Sequence, residues 1–300
     1  MAGRKCTMAW LFLPKISFMV SSAELEKMAS QVRRDIVRMV HAAASGHPGG
    51  SLGCTEYFVA LYGDLLRYDP KNFTLDGLEE DVFILSNGHI SPVYYSVLSR
   101  YGYFPLEELH SFRKINSRLQ GHPTTHEGLP GVRVATGSLG QGMSVAIGAA
   151  LSKKRNGDDR LVYSLHGDGE LQEGQIWEAA LFAPNHRVDN LICTVDANGQ
   201  QIDGSTDSVA PLGDIAAKFA AFGWDTLQIA EGNHMAAVQN GLREAVRRTG
   251  QGKPVMVVMH TEMGAKVDFM EGTHQWHGIA PNDEQLERAL AQLPQTLGDF

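Results

Sequence analysis

The chain has few cysteines, no long apolar run and no surplus of basic residues, and each shortage excludes a class of protein. Its three cysteines, Cys6, Cys54 and Cys193, are widely spaced and form no Cys-x-x-Cys pair, which favours a reducing cytosol and argues against structural zinc. No stretch approaches the roughly 18 apolar residues of a membrane span. Acidic residues outnumber basic ones by 34 to 26, and without a Lys/Arg-rich stripe we expect no nucleic-acid partner. The sequence therefore predicts a cytoplasmic protein that binds neither nucleic acid nor membrane.

Glycine, by contrast, is abundant, with 32 glycines in 300 residues, many of them beside histidine. The composition, 43% hydrophobic and 20% charged, is that of a globular protein. No repeat, low-complexity tract or Pro/Ser-rich linker divides the chain, so residues 21–300 are predicted to form a single domain. Residues 1–20 contain Arg4, Lys5 and an apolar stretch too short for a signal peptide, and are predicted to be a poorly ordered extension or a misassigned start.

Short apolar runs alternate with helical patterns along the rest of the chain. Ser21 and Glu24 match a capping box at the start of the first helix. Continuous apolar strands alternating with helices are typical of a doubly wound, mostly parallel α/β sheet with helices on both faces. The predicted strands are 81–86, 160–165, 190–195, 225–229 and 254–260. The predicted helical stretches are 21–46, 55–66, 93–101, 106–115, 140–155, 175–183, 212–221, 234–248 and 283–293.

The segments that follow these strands contain most of the chemically useful residues. Parallel sheets bind ligands at the carboxyl ends of their strands. The motif Gly167-Asp168-Gly169 follows one strand, and Asn198 follows the next strand along the chain, so we expect Asp168 and Asn198 at adjacent strand ends. Carboxylate and amide oxygens are ligands that Mg²⁺ prefers, and a diphosphate can complete its octahedron. The two glycines allow the backbone to approach phosphates closely.

A Gly-Asp-Gly followed about thirty residues later by Asn resembles the fingerprint of thiamine diphosphate enzymes, and the surrounding segments are similar to transketolases. The similar blocks are SGHPGGSLG (45–53), LSNGH (85–89), QGHPTTHEGLPGVRVATGSLGQG (120–142), HGDGELQEGQIWEA (166–179), VDANGQQIDG (195–204) and EGTHQWHG (271–278). They lie in order between residues 45 and 278. The chain resembles the N-terminal, diphosphate-binding subunit of a split, two-chain transketolase.

The resemblance implies a cofactor, thiamine diphosphate, and a metal ion, Mg²⁺ or Ca²⁺ or Mn²⁺ in its place. Asp168, Asn198 and the backbone carbonyl of Gln200 match the metal ligands. The implied cofactor contacts are His89, Gly137, Ser138, Leu139, Gly169, Asn198 and His277. Ser138 stands where single-chain transketolases usually have proline, which leaves that contact intact.

The resemblance also implies the catalytic residues. His47, His122 and His277 match histidines that face the substrate, and histidines suit proton shuttling near neutral pH. Glu173 and Glu178 match glutamates at the family's dimer interface. Simpler roles stay open for two of them, because His47 could cap the preceding helix and Glu178 could be a solvated or interface charge.

The implied reaction moves a two-carbon ketol group from a ketose phosphate to an aldose phosphate, as in the pentose phosphate pathway. The resemblance covers only the diphosphate-binding part, so we expect a partner, a C-terminal transketolase subunit with the pyrimidine-binding and C-terminal domains. A heterotetramer of two copies of each subunit (2+2) is the expected assembly. Rival interpretations are the cofactor-binding subunit of another thiamine-dependent enzyme (a 2-oxoacid dehydrogenase alpha-type or deoxyxylulose phosphate synthase-like protein) and a non-catalytic orphan half.

Overall fold

The computed structural model describes residues 20–300, and a five-stranded sheet lies at their centre. In spatial order its strands are β1 (Val82–Leu85), β2 (Val162–Gly167), β3 (Leu191–Ala197), β7 (Val255–His260) and β6 (Asp225–Ile229). Every neighbouring pair in this order is parallel. A short antiparallel hairpin, β4 (Gln200–Gln201) and β5 (Gly204–Ser205), follows β3. The predicted parallel sheet is confirmed.

Both faces of the sheet are covered by helices, as predicted. In β1, Val82 and Ile84 pack into one apolar core, and Phe83 and Leu85 pack into the other. The core of Phe83 and Leu85 is closed by α1 (Ser22–Ala42), α3 (Thr55–Ala60), α4 (Ser91–Arg100) and α9 (Met235–Arg248). The core of Val82 and Ile84 is closed by α5 (Gln141–Arg155), α6 (Gly174–Asn185) and α8 (Ile215–Phe222). The remaining α-helices of the described residues are α2 (Pro48–Gly53), α7 (Thr206–Val209) and α10 (Asp283–Gln292).

Local sequence explains how two of these helices begin. The capping box at α1 is present, since the Ser21 hydroxyl accepts from the Glu24 amide at 3.3 Å and the Glu24 carboxylate accepts from the Ser21 amide at 3.1 Å. At α5 the small residue Gly142 allows close packing, because a Cβ there would clash with the Ser86 side chain. The start of α5 is thereby placed against the end of β1.

Several element boundaries differ from the sequence prediction. The helix predicted at 55–66 is α3 followed by a π-helical turn, Leu61–Leu65, because Leu66 bonds back to the Leu61 carbonyl. The stretch predicted at 106–115 is a 3₁₀ helix that ends earlier, at Leu106–Ser111. Arg113 beyond it has a φ of 58°, which is incompatible with a right-handed helix. The helix predicted from 212 begins at Ile215 instead, since Asp214 caps it.

Two features of the fold had no counterpart in the prediction. Residues 48–53, which lie between two predicted helical stretches, form α2, and the β4–β5 hairpin was not predicted. Further 3₁₀ turns lie at Pro70–Asn72, Gly88–Ile90, Gly169–Gln172 and His274–Trp276.

Except for Val20, the extension predicted at residues 1–20 lies outside the described residues. None of the helices in residues 20–300 combines the length and the apolar character that crossing a bilayer requires.

Candidate active site

An open cleft of about 310 Å³ lies at the carboxyl edge of the sheet. It is lined by eight residues that the sequence analysis singled out: His47, His89, His122, Gly137, Leu139, Gly169, Gln200 and His277. Glu170, Gln201 and Ile202 complete the lining. The elements that supply them are far apart in the chain, and the parallel topology brings their ends together.

Four histidines form one wall of the cleft. The His47 ring lies 5.1 Å from that of His89, 6.3 Å from that of His122 and 5.6 Å from that of His277, measured between ring centroids. The rings of His89 and His277 are 5.0 Å apart. The Nδ1 atoms of His47 and His277 are buried and have no hydrogen-bond partner among the described residues. A bound molecule with polar groups would satisfy these atoms.

Burial keeps this cluster neutral near pH 7. Desolvation lowers the pKa of His47 to about 4, and repulsion from His277, when that ring is protonated, and from Arg113 adds to the effect. Burial also lowers the pKa of His89 and of His277. A neutral imidazole has one donor and one acceptor nitrogen, so each ring can hold a substrate hydroxyl or carbonyl and exchange a proton with it.

The free energy of unfolding of the cofactor-free chain is expected to decrease as the pH falls from about 6.5 towards 4. In that range the unfolded chain binds protons on these histidines that the folded chain does not bind, because His47 has a pKa of about 4 when folded. Urea unfolding at about pH 7.5 and about pH 5 measures the loss, and His47→Asn should reduce it. The same substitution at the exposed His126 is the matched control. An equal loss of stability in the wild type and the His47 variant would contradict this prediction.

Asp168 and Asn198 lie behind the cleft floor, at the ends of β2 and β3. Asp168 is 3% exposed, and its two carboxylate oxygens accept the backbone amides of Gly169 at 2.7 Å and Gly199 at 2.6 Å. Burial raises the pKa of Asp168 to about 7, and the negative charge of Asp196 adds to this. Among residues 20–300 its carboxylate forms no salt bridge with a basic side chain, and its hydrogen bonds come from backbone amides. A buried carboxylate without a counter-charge fits a site for a cation.

Asn198 is held so that its amide oxygen stays available. Its Nδ2 donates to Asp196 at 2.8 Å, and its Oδ1 accepts the Gln200 amide at 2.9 Å, which leaves one lone pair on the oxygen. In residues 20–300 no group of three or more His, Cys, Asp or Glu side chains could hold a metal ion. The Asp168 carboxylate and the Asn198 amide oxygen are hard ligands, which suit a cation that also takes oxygens from a diphosphate.

Comparison with known proteins identifies the family. The model described as "Transketolase, thiamine diphosphate binding domain" matches residues 25–296. The chain belongs to the transketolase family. An apulose-4-phosphate transketolase subunit of Actinobacillus succinogenes is 39% identical over 275 residues, which are 91% of this chain and 97% of that protein. A 6-deoxy-6-sulfo-D-fructose transketolase subunit of Clostridium sp. is 37% identical over 270 residues, 90% of this chain and 96% of that protein.

Solved transketolases have the same fold in this region. The transketolase of Leishmania mexicana superposes with a TM-score of 0.85 at 30% identity, covering 94% of this chain and 42% of that one. The chain therefore corresponds to less than half of a single-chain transketolase and to nearly all of the relatives named as subunits. These matches favour the transketolase interpretation over the rival thiamine-dependent enzymes.

Besides Asp168 and Asn198, three residues implied by the transketolase resemblance are not part of the cleft lining. Ser138 is exposed beside it, on the loop that leads into α5. Glu173 is exposed at the start of α6, and its Cβ lies 2.9 Å from the position that a Cβ added to Gly140 would take. Glu178 is exposed on α6. The structure brings neither glutamate together with the histidine cluster.

Sequence reasoning missed several polar residues of this region. Asp196 is buried, accepts hydrogen bonds from Thr261 and Asn198, and lies close enough to Asp168 to raise its pKa. Glu170 is buried at the cleft floor. The available signal was position, since Asp196 directly follows a predicted strand and Glu170 directly follows the Gly-Asp-Gly motif.

Proposed function

We propose that this chain is the cofactor-binding subunit of a two-chain transketolase that moves a two-carbon ketol group from a ketose phosphate to an aldose phosphate. One observation carries the proposal. A wall of four neutral histidines faces the strand ends at which an uncompensated carboxylate and glycine-rich turns lie together. This combination suits a site that holds a metal diphosphate on one side and a sugar on the other.

Asp168, Asn198 and the Gln200 carbonyl would hold Mg²⁺, with Ca²⁺ or Mn²⁺ able to replace it. His89, Gly137, Ser138, Leu139, Gly169, Asn198 and His277 would contact thiamine diphosphate. Gly137 supports this, because its φ is 122° and an added Cβ would lie 2.5 Å from the His122 ring. When bound, thiamine diphosphate would supply the nucleophilic carbon chemistry that ketol transfer from a ketose needs.

His47, His122 and His277 are proposed to act on the sugar. Their rings lie within one cluster, and the lowered pKa of His47 keeps its ring neutral, so that it can accept a hydrogen bond from a substrate hydroxyl. Glu173 and Glu178 are proposed to lie where two active sites of the assembly meet. Both side chains are exposed, Glu173 directly before α6 and Glu178 on α6 itself.

A second subunit is part of the proposal. Relatives of similar length are named as transketolase subunits, and this chain covers 97% of one of them. Leu139 and Ile202 line the cleft and are 37% and 59% exposed, so apolar surface is left open there for a partner to cover. The partner would bring the pyrimidine-binding and C-terminal domains in a 2+2 heterotetramer. We place the complex in the cytoplasm, in sugar phosphate metabolism such as the pentose phosphate pathway, and free Cys54 and Cys193 agree with that.

Ketol transfer by the assembled enzyme tests this function through its histidines. In a panel of ketose phosphate donors, His47→Ala and His122→Ala are each expected to lower kcat about 100-fold. The affinity for thiamine diphosphate should change little, because both rings are assigned to the sugar side. His126→Ala, an exposed histidine of the same loop as His122, is the matched control. A variant that loses the cofactor while turnover per bound cofactor is unchanged would contradict the assignment.

A further inference from the structure

Glu170 is a buried carboxylate that none of the roles above uses. It is 1% exposed and lies in the 3₁₀ turn Gly169–Gln172 that follows β2. Its Oε2 accepts the Gly167 amide at 3.1 Å. Its Oε1 accepts both the Gly140 amide at 2.8 Å and the Ser86 hydroxyl. One side chain thus accepts three hydrogen bonds from three segments of the chain.

Ser86 extends this network to the first turn of α5. Its Oγ accepts the Gly142 amide at 3.1 Å, so the end of β1 and the start of α5 are joined through one hydroxyl. Gly140, which precedes α5, has a φ of 89°, a conformation that glycine adopts without strain. The positive end of the α5 dipole favours a carboxylate at this position.

Each of the three segments leads into the cleft lining. The turn after β1 contains His89, the loop before α5 contains Gly137 and Leu139, and the bend after β2 contains Asp168 and Gly169. We propose that Glu170 is a positioning residue, whose carboxylate sets the placement of these three segments relative to one another and so shapes the site for the diphosphate end of the cofactor. This inference rests on the proposed function of the cleft.

A carboxylate suits this position better than an amide. The three groups that hydrogen-bond to Glu170 are all donors, the buried His166 Nδ1 lies 3.6 Å from its Oε1, and a carboxylate offers only acceptors. In Glu170→Gln one oxygen is replaced by an NH₂ group, which would face either the Gly167 amide or the pair formed by Gly140 and Ser86. The hydrogen bond or bonds on that side are then lost, while the volume of the side chain is preserved.

Two measurements on the full chain test the proposal. In Glu170→Gln, amide hydrogen exchange of the cofactor-free chain should be faster in residues 137–142 and 86–89. Calorimetry with Mg²⁺ present should show Kd for thiamine diphosphate about 10-fold higher, as expected when a supporting hydrogen bond behind a ligand site is removed. Ser86→Ala, which keeps Glu170 and removes the bridge to Gly142, should change both quantities in the same direction by less.

Asp35→Asn is the matched control for loss of a buried carboxylate. Asp35 is fully buried, accepts from Ser96 at 2.7 Å and pairs with Arg100, between α1 and α4. This variant should be less stable, yet have the exchange at 137–142 and the Kd of the wild type.

Three outcomes distinguish a failure of the positioning role of Glu170 from a failure of the proposed function. Unchanged exchange and Kd in Glu170→Gln would overturn the positioning role, and so would a loss of stability like that of Asp35→Asn with Kd unchanged. A wild-type chain that binds no thiamine diphosphate would contradict the proposed function instead. The exchange measurement needs no cofactor, so it would still confirm or overturn the coupling of the three segments by Glu170.

Discussion

Replacing Asp168 with asparagine is expected to lower the affinity of the chain for thiamine diphosphate at least about 100-fold when Mg²⁺ is present. Asp168 is the only acidic side chain in the proposed ligand set, so the substitution removes the charge that faces the cation. The amide group would also place a donor against the backbone amide of Gly169 or Gly199. The fold should persist, because burial without a counter-charge already raises the pKa of Asp168 to about 7 and makes its charge costly.

Calorimetric titration of the wild type and the variant, with and without Mg²⁺, measures this effect. The wild type should bind the cofactor more tightly with Mg²⁺ than without it, and Asp168→Asn should bind equally weakly in both. Asp203→Asn removes an exposed carboxylate from the hairpin next to the site and is the matched control. Wild-type affinity in Asp168→Asn would remove Asp168 from the site.

The strand ends were predictable because the information for them is local. Each buried strand is a short apolar run, and the topology of a parallel sheet then places the residues that follow adjacent strands side by side. The observed register pairs Gly167 with Asp196, and Asp168 accepts the Gly199 amide at 2.6 Å. Asp168 and the Asn198 segment therefore meet as the spacing along the chain predicted.

The polar network beneath the cleft was not predictable in this way. Ser86 and Glu170 are 84 residues apart, and Thr261 and Asp196 are 65 apart. Such pairings depend on how helices and strands pack in three dimensions, and no periodicity of the sequence encodes them. The π-helical turn Leu61–Leu65 was not predictable either. The apolar pattern continues through it, but the backbone hydrogen bonds span five residues instead of four.

The second large expected effect is the loss of ketol transfer when the partner chain is absent. Without it the cleft is open, and Leu139 and Ile202 at its lining stay exposed. As the resemblance to transketolases implies, the proposed partner would supply the glutamate that activates the aminopyrimidine and the groups that bind the substrate phosphate. We therefore expect negligible ketol transfer by the purified chain even when it is saturated with Mg²⁺ and thiamine diphosphate.

The most direct test of the split-transketolase account is ketol transfer measured for this chain alone, for the candidate partner alone and for an equimolar mixture of the two. The account predicts turnover in the mixture only, together with a complex whose mass corresponds to two copies of each chain. Adding Asp168→Asn in place of the wild type should give the complex without the turnover. Robust turnover by this chain at high purity, with no second polypeptide present, would contradict the account.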